Sequence, residues 1–282
     1  MTDDLPPPRD ARDLLRSHGL SPKRSFSQNF LVQPGAIAQI ADAAAALGSS
    51  LVELGPGLGA LTHALLERGC DVIAVELDRD MVRVLEQELG PHPRLRIVAG
   101  DAAETDFHEL SGALGSKLVV AGNLPYQATG AILRHVVRHR DILFGAVLMV
   151  QREVRDRLVA VPGTKDYGAL SVFVQAGFAV DTVCRLRPGS FYPPPKVESA
   201  VVRLVPLEEP LAKETASFRA IVRAAFQTRR KTLRNACKSM GDSAHLGQAA
   251  ADAGIDLSRR GETLSVGEFA RFADAWDALR GP

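Results

Sequence analysis

Between residues 33 and 150 the chain alternates helical patterns with short apolar runs, and this alternation limits its fold more than any other feature. Apolar runs at 51–55, 71–76, 94–99, 117–122 and 143–150 read as strands. The stretches at 33–47, 60–68, 78–89, 105–114 and 128–139 read as helices. Ile37, Ile40, Ala41 and Ala44 share one face of the first helix. Gly69 stops the second, and Asp78 is placed to cap the third. Right-handed crossovers between such strands build a mostly parallel, doubly wound α/β sheet. Sheets of this kind take ligands at the carboxyl ends of their strands, so function is sought just after each run.

After Gln151 the pattern changes. A helix at 153–159 precedes a Pro162-Gly163 break, and the apolar stretch 167–177 suits helix or strand equally. Runs at 179–186 and 199–205 read as late strands, an antiparallel pair at the sheet edge. Between them Phe191-Tyr192-Pro193-Pro194-Pro195-Lys196 must be stiff and extended. Residues 206–210 read as a linker, and from Leu211 onward the pattern is helical. At the other end, a Pro-rich and mobile lead (Leu5 to Pro8) is followed by a helical pattern at 11–17 and a basic loop from Ser21 to Leu31.

Of the 282 residues, 46% are hydrophobic, enough for a substantial core, and 24% are charged. The net charge of +1 carries no global nucleic-acid signal, so any such surface must be local. Cys70, Cys184 and Cys237 lie far apart, which argues against a zinc ribbon or disulfide framework. The seven histidines form no ligand cluster; His135 and His139 share helical spacing without a third ligand, and are read as surface residues with no metal. No apolar run approaches the roughly 20 residues of a membrane span, and no signal-peptide core is evident. A cytoplasmic monomer away from any membrane is expected.

Three strand ends carry acids. Glu53-x-Gly55-x-Gly57-x-Gly59 joins the first run to its helix, Glu76 ends the second run and Asp101 follows the third. Gly55, Gly57 and Ala60 also satisfy a dinucleotide-binding pattern. S-adenosylmethionine fits better: Glu53 can meet the methionine ammonium, Glu76 the ribose hydroxyls and Asp101 the adenine amine. The fourth run ends in Asn123-Leu124-Pro125-Tyr126. The Asn123 side-chain oxygen and the Leu124 carbonyl can both accept from an exocyclic NH2. Pro125 donates nothing and fixes φ, and Tyr126 offers a flat face for stacking. A plain strand-ending turn is the alternative reading of these four residues.

Together with Ser27-Gln28-Asn29-Phe30-Leu31, Glu76-Leu77-Asp78, Tyr167-Gly168-x-Leu170-Ser171, Phe191-x-Pro193-Pro194-Pro195-Lys196-Val197-x-Ser199 and Arg229-Arg230-Lys231-Thr232-Leu233-Arg234-Asn235, these motifs make the chain resemble the small-subunit (16S) ribosomal RNA adenine N6,N6-dimethyltransferases of the KsgA type. The resemblance runs from about Leu14 to near the end; Ser27 stands where many relatives are expected to carry Gly. It implies a Rossmann-like class I methyltransferase sheet with a small C-terminal all-α domain. The expected division is an N-terminal extension and basic loop at 1–27, the S-adenosylmethionine-dependent domain at 28–206 and a helical RNA-binding domain at 207–282.

The implied activity is transfer of two methyl groups to N6 of each of two adjacent adenosines in a hairpin loop near the 3′ end of the RNA, on an immature 30S subunit. The implied cofactor contacts are Gln28, Asn29, Leu31, Glu53, Gly55, Gly57, Glu76, Leu77, Asp101, Ala102 and Asn123. Asn123, Leu124, Pro125 and Tyr126 would hold the acceptor base, with Phe191 either covering the base or serving as a hydrophobic plug. Residues 219–238 contain seven basic residues and no acidic one. On one continuous helix Arg219, Arg223, Arg230 and Arg234 would fall within roughly a 60° arc, with Lys231 and Lys238 beside it, facing RNA phosphates. Lys23, Arg24 and Lys196 would extend that surface. The rival readings are a methyltransferase of large-subunit ribosomal RNA, disfavoured by the proline segment and basic tail, and a non-catalytic assembly factor that binds immature subunits. An NAD-dependent oxidoreductase is more distant, since no hydride-transfer residue is evident.

Overall fold

The computed structural model describes residues 5–23, 26, 28–125, 127–228 and 230–280. The chain divides into two compact units, Met1–Arg155 with Asp181–Pro206, and Asp156–Val180 with Leu207–Pro282.

The first unit is built on α1 (Ala11–Ser17), β1 (Phe30–Leu31), α2 (Pro34–Ala45), β2 (Ser50–Leu54), α3 (Ala60–Glu67), β3 (Asp71–Glu76), α4 (Arg79–Glu88), β4 (Leu95–Ala99), α5 (Phe107–Leu114), β5 (Leu118–Asn123), α6 (Thr129–Arg138) and β6 (Leu143–Gln151). After α7 (Arg152–Leu158) and α8 (Ala169–Gln175) come β7 (Phe178–Leu186), β8 (Phe191–Tyr192) and β9 (Ser199–Pro206). Seven strands form one sheet in the order β4-β3-β2-β5-β6-β9-β7. The first five are parallel, and β9 runs antiparallel to β6 from Ala146↔Leu204 to Gln151↔Ser199. Central strands covered on both faces need apolar residues at every position. Accordingly Leu51, Val52, Leu54 and Leu118 to Ala121 are essentially inaccessible.

Two local features place the ligand-binding edge. Asp78 caps α4 by accepting from the Asp80 N–H at 3.0 Å, which fixes the turn after β3. β2 and β5 lie so close at their carboxyl ends that a Cβ on Gly122 would collide with the Leu54 backbone carbonyl. The expected surface positions of His135 and His139 are corrected: both are partly buried, and the His135 ring lies 4.4 Å from those of Phe107 and His139, its Nε2 bonded to the Thr105 carbonyl. No helix among the described residues is long and apolar enough to cross a membrane.

The second unit contains α8, α9 (Ala216–Gln227), α10 (Leu233–Ala236), α11 (Ser243–Ala253) and α12 (Val266–Ala278). Tyr167, Phe218, Phe269, Phe272 and Trp276 fill its core. A capping box of Ser265 and Glu268 starts α12. The sequence reading assigned 156–180 to the sheet domain; compactness groups them with the helices instead. Tyr167 and Val172 are fully buried in the helical core, and the Gly163 N–H donates to the Glu262 carbonyl at 2.7 Å.

Gly122→Ala is expected to destabilise the first unit by about 1–3 kcal/mol, because the new methyl meets backbone that cannot yield. Urea unfolding should show a lower midpoint with an unchanged m-value; an unchanged midpoint would contradict the close approach of β2 and β5.

Candidate functional site

The turn after β2 is held from two sides. Gly57 and Gly59 have φ of +59° and +82°, a region costly for residues with a Cβ. Space is also tight: a Cβ on Gly57 would sit 3.1 Å from the Phe30 ring, and one on Gly59 2.9 Å from Leu85 Cδ2, so these side chains would have to shift. From the end of β3, Glu76 closes the turn. Its Oε2 accepts from the Gly57 N–H at 3.0 Å and its Oε1 from the Asp78 N–H at 2.9 Å. Burial raises the Glu76 pKa, and these N–H groups oppose the rise.

Glu53 lies beneath the turn, 1% exposed. Its Oε2 accepts from the Thr62 hydroxyl at 2.6 Å. Burial pushes its pKa up to about 8; the Thr62 bond opposes this and the nearby Glu76 charge adds to it. A carboxylate so buried is suited to meeting a cationic group entering from the cavity. Asp101 accepts from the Ala103 N–H at 2.8 Å and so shapes the loop after β4.

Asn123 is the last residue of β5. Its Nδ2 donates to the Asn29 carbonyl at 2.9 Å, which fixes the amide orientation and leaves Oδ1 as the acceptor end. The Leu124 N–H continues the strand by donating to the Met149 carbonyl at 3.2 Å. The Pro125 carbonyl accepts from the Ala128 and Thr129 N–H groups and so begins α6. Tyr126 lies outside the described residues. Asn29 is held by the antiparallel ribbon of β1 and β8, Phe30↔Tyr192 and Leu31↔Phe191, and the Val32 N–H donates to the Ser190 carbonyl at 2.9 Å.

One cavity of about 670 Å³ opens over this edge. Gln28, Asn29, Leu31, Glu53, Gly55, Gly57, Glu76, Leu77, Asp101, Ala102 and Asn123 all line it, as do Leu124 and Pro125. Phe191 does not. It is 3% exposed and packs with Leu31, Ala36 and Ile40. The expectation that it covers the base is therefore corrected in favour of the plug: the apolar ribbon partner of Leu31 is drawn into the core.

The sequence reading missed one wall. Pro6, Arg9, Leu14 and Phe26 also line the cavity, so the Pro-rich lead, expected to be mobile, is fastened at Pro6 and beyond. The Pro6 carbonyl bonds to His63 Nε2 at 2.7 Å, and Arg9 pairs with Glu88 at 2.8 Å. Ala11, Leu14 and Leu15 pack with Leu58, Met81 and Val84. The apolar face of 11–17 was the available signal; its partners, distant in sequence, were not.

The basic residues fall into two groups. Lys23 Nζ lies 2.6 Å from Asp78 and 2.5 Å from Asp80, so it is not the open phosphate contact expected; Arg24 lies outside the described residues, and Lys196 is exposed. In the second unit, the continuous helix expected from Arg219 to Lys238 is corrected. α9 ends at Gln227, where Thr228 leaves helical geometry (φ −130°, ψ 72°). The chain re-enters a helix only at α10, and the Leu233 and Arg234 N–H groups donate to the Arg259 and Leu257 carbonyls at 2.8 and 3.0 Å. The 60° arc therefore does not apply. Arg223, Arg230, Lys231, Arg234 and Lys238 are nevertheless exposed, and Arg219 is partly so, its guanidinium donating to the Glu214 carbonyl.

The family model described as ribosomal RNA adenine dimethylase matches residues 19–277. A "Ribosomal RNA small subunit methyltransferase A" of Geobacter metallireducens is 44% identical over 274 residues, covering 95% of this chain and 100% of its own. Among solved structures, a dimethyladenosine transferase from Plasmodium falciparum is similar with a TM-score of 0.70, 26% identity and coverage of 86% and 95%. The 23S rRNA methyltransferase ErmE has a TM-score of 0.66, 25% identity and coverage of 88% and 100%.

Because the folded Glu53 pKa of about 8 exceeds its ordinary value of 4.5, the unfolded chain ionises first. Stability is therefore lost as pH rises across that interval. Glu53→Gln removes this loss, so its stability relative to wild type should increase steadily from pH 4.5 to about 8 in urea titrations. A difference independent of pH would contradict the burial of an ionisable Glu53.

Proposed function

This chain belongs to the ribosomal RNA adenine dimethylase family, and we propose that it uses S-adenosylmethionine to dimethylate N6 of two adjacent adenosines in the 3′-terminal hairpin loop of small-subunit ribosomal RNA, during assembly of the 30S subunit in the cytoplasm. The observation that carries this reading is the Asn123 amide, pinned by Asn29 at the end of β5 with its oxygen left to accept. The relatives' shared name supports the choice of the small subunit. The chain is proposed to act as a monomer.

S-adenosylmethionine supplies, when bound, a methyl group on a sulfonium that is already a good leaving group. Glu53 would meet its ammonium, Glu76 its ribose hydroxyls, and Asp101 with Leu77 and Ala102 its adenine. A buried carboxylate lining the cavity fits that cation, and the Cβ-free turn at Gly57 fits close approach of a ligand.

The N6 lone pair of adenine is delocalised into the ring and is a weak nucleophile. In the first transfer, hydrogen bonds from its two N–H groups to Asn123 Oδ1 and the Leu124 carbonyl favour a pyramidal, more reactive nitrogen; in the second, the one remaining N–H keeps one of these bonds. No strong base is required, because N6 becomes cationic and acidic once methylated and gives its proton to water. The residues act chiefly by alignment, which is worth up to roughly 7–11 kcal/mol for well-oriented groups. The target base must leave its loop stack to enter the cavity, and Tyr126 is assigned to stack on it, a contact worth about 1–3 kcal/mol. The exposed Arg223, Arg230, Lys231, Arg234 and Lys238 would take phosphates.

Asn123→Ala is expected to abolish methylation of immature small subunits by labelled S-adenosylmethionine while leaving RNA affinity intact; full activity would refute this mechanism. Charge reversal at Arg230 and Arg234 to Glu should weaken subunit binding and flatten its dependence on salt. Affinity unchanged at every salt concentration would remove these residues from the RNA surface.

A further inference from the structure

The cation expected to reach RNA from the basic loop is engaged elsewhere. Lys23 Nζ lies 2.6 Å from Asp78 Oδ1 and 2.5 Å from Asp80 Oδ2, and only a third of the side chain is exposed. Asp78 itself is 2% exposed and serves four groups. It receives Lys23, the Gln28 side-chain amide at 2.8 Å and the Asp80 N–H at 3.0 Å, while its own N–H donates to Glu76 Oε1 at 2.9 Å. Glu76 in turn holds the Gly57 N–H. A continuous hydrogen-bonded path thus runs from Lys23 through Asp78 and Glu76 to the glycine turn.

We propose that Lys23 is a positioning residue of the methyl-donor site: by clamping the buried Asp78 carboxylate it fixes the 76–78 turn, which carries Glu76 and Leu77 into the cavity. This rests on the reading that the cavity holds S-adenosylmethionine. Removing the ammonium leaves Asp78 buried with only neutral donors, a costly arrangement, and the turn must shift to admit water. Lys23 also touches Phe26 and Gln28: its N–H donates to Gln28 Oε1 at 2.8 Å and its Nζ lies 5.5 Å from the centre of the Phe26 ring, itself part of the cavity wall. The two carboxylates raise the Lys23 pKa, so the ammonium stays charged through the neutral range. Its charge is matched within the fold and has little left to offer a phosphate.

The test is Lys23→Met, which keeps the stem and removes the charge, read by calorimetric titration with S-adenosylhomocysteine and by binding of a target-loop RNA hairpin across a salt series. Loss of a charged hydrogen bond is expected to weaken the nucleoside by about tenfold. RNA affinity, its salt slope and the turnover at saturating donor should stay at wild-type values, and Lys23→Arg should restore most of the nucleoside affinity. Asp80→Asn, which loosens one of the two contacts and leaves Asp78 untouched, should give an intermediate loss and covers the case in which Lys23→Met does not fold. A wild-type chain that binds no S-adenosylhomocysteine overturns the cofactor reading and this inference with it. If the wild type binds and Lys23→Met binds equally well, only the role of Lys23 falls. A flatter salt slope for RNA with unchanged nucleoside affinity assigns Lys23 to the RNA instead.

Discussion

The hydrogen bond from Asn123 Nδ2 to the Asn29 carbonyl joins fold to chemistry in this protein. An asparagine amide can turn over and exchange its donor and acceptor ends; an amine acceptor needs the oxygen. The Asn29 carbonyl decides that orientation, and it is itself placed by the two-residue ribbon of β1 and β8. Burial of Phe191 and Leu31 in the core is thus part of how the site is aimed. The residue foreseen as a base contact is a buried member of this ribbon.

Electrostatics at the cavity floor follow the same logic. Glu53 and Glu76 are both buried, and burial raises the pKa of both. Glu76 is compensated by two backbone N–H groups, that of Gly57 in the glycine turn and that of Asp78 after β3. Glu53 instead accepts from a neutral hydroxyl, that of Thr62, which does not match a full charge. Under the proposed reading Glu53 would take a cation and Glu76 hydroxyls, an asymmetry that would suit an amino-acid nucleoside better than a dinucleotide, whose pyrophosphate would meet two carboxylates.

Much of this was legible in the sequence, because the strands are short apolar runs punctuated by Gly, Asp and Pro. The end of β5 was placed to within one residue of Asn123, and the α4 cap at Asp78 was read from residue type. What failed were inferences that needed partners distant in sequence. Lys23 looked like a surface cation because Asp78 and Asp80 lie 55 and 57 positions away. The lead at Leu5 to Pro8 looked mobile because nothing local shows that the Pro6 carbonyl accepts from His63 Nε2. The helix projected through Arg219 to Lys238 failed differently: periodicity was extended past Thr228, where helical geometry ends, to residues whose backbone is set from far away, the Leu233 and Arg234 N–H groups donating to the Arg259 and Leu257 carbonyls.

The most direct measurement is a crystal structure with S-adenosylhomocysteine and a target-loop RNA hairpin bound together. The account requires the flipped adenine N6 to lie within about 3 Å of both Asn123 Oδ1 and the Leu124 carbonyl, a hydrogen-bond distance, with the Asn29 bond to Asn123 intact. An N6 held by other groups, or an Asn123 amide turned so that its nitrogen faces the base, would contradict it.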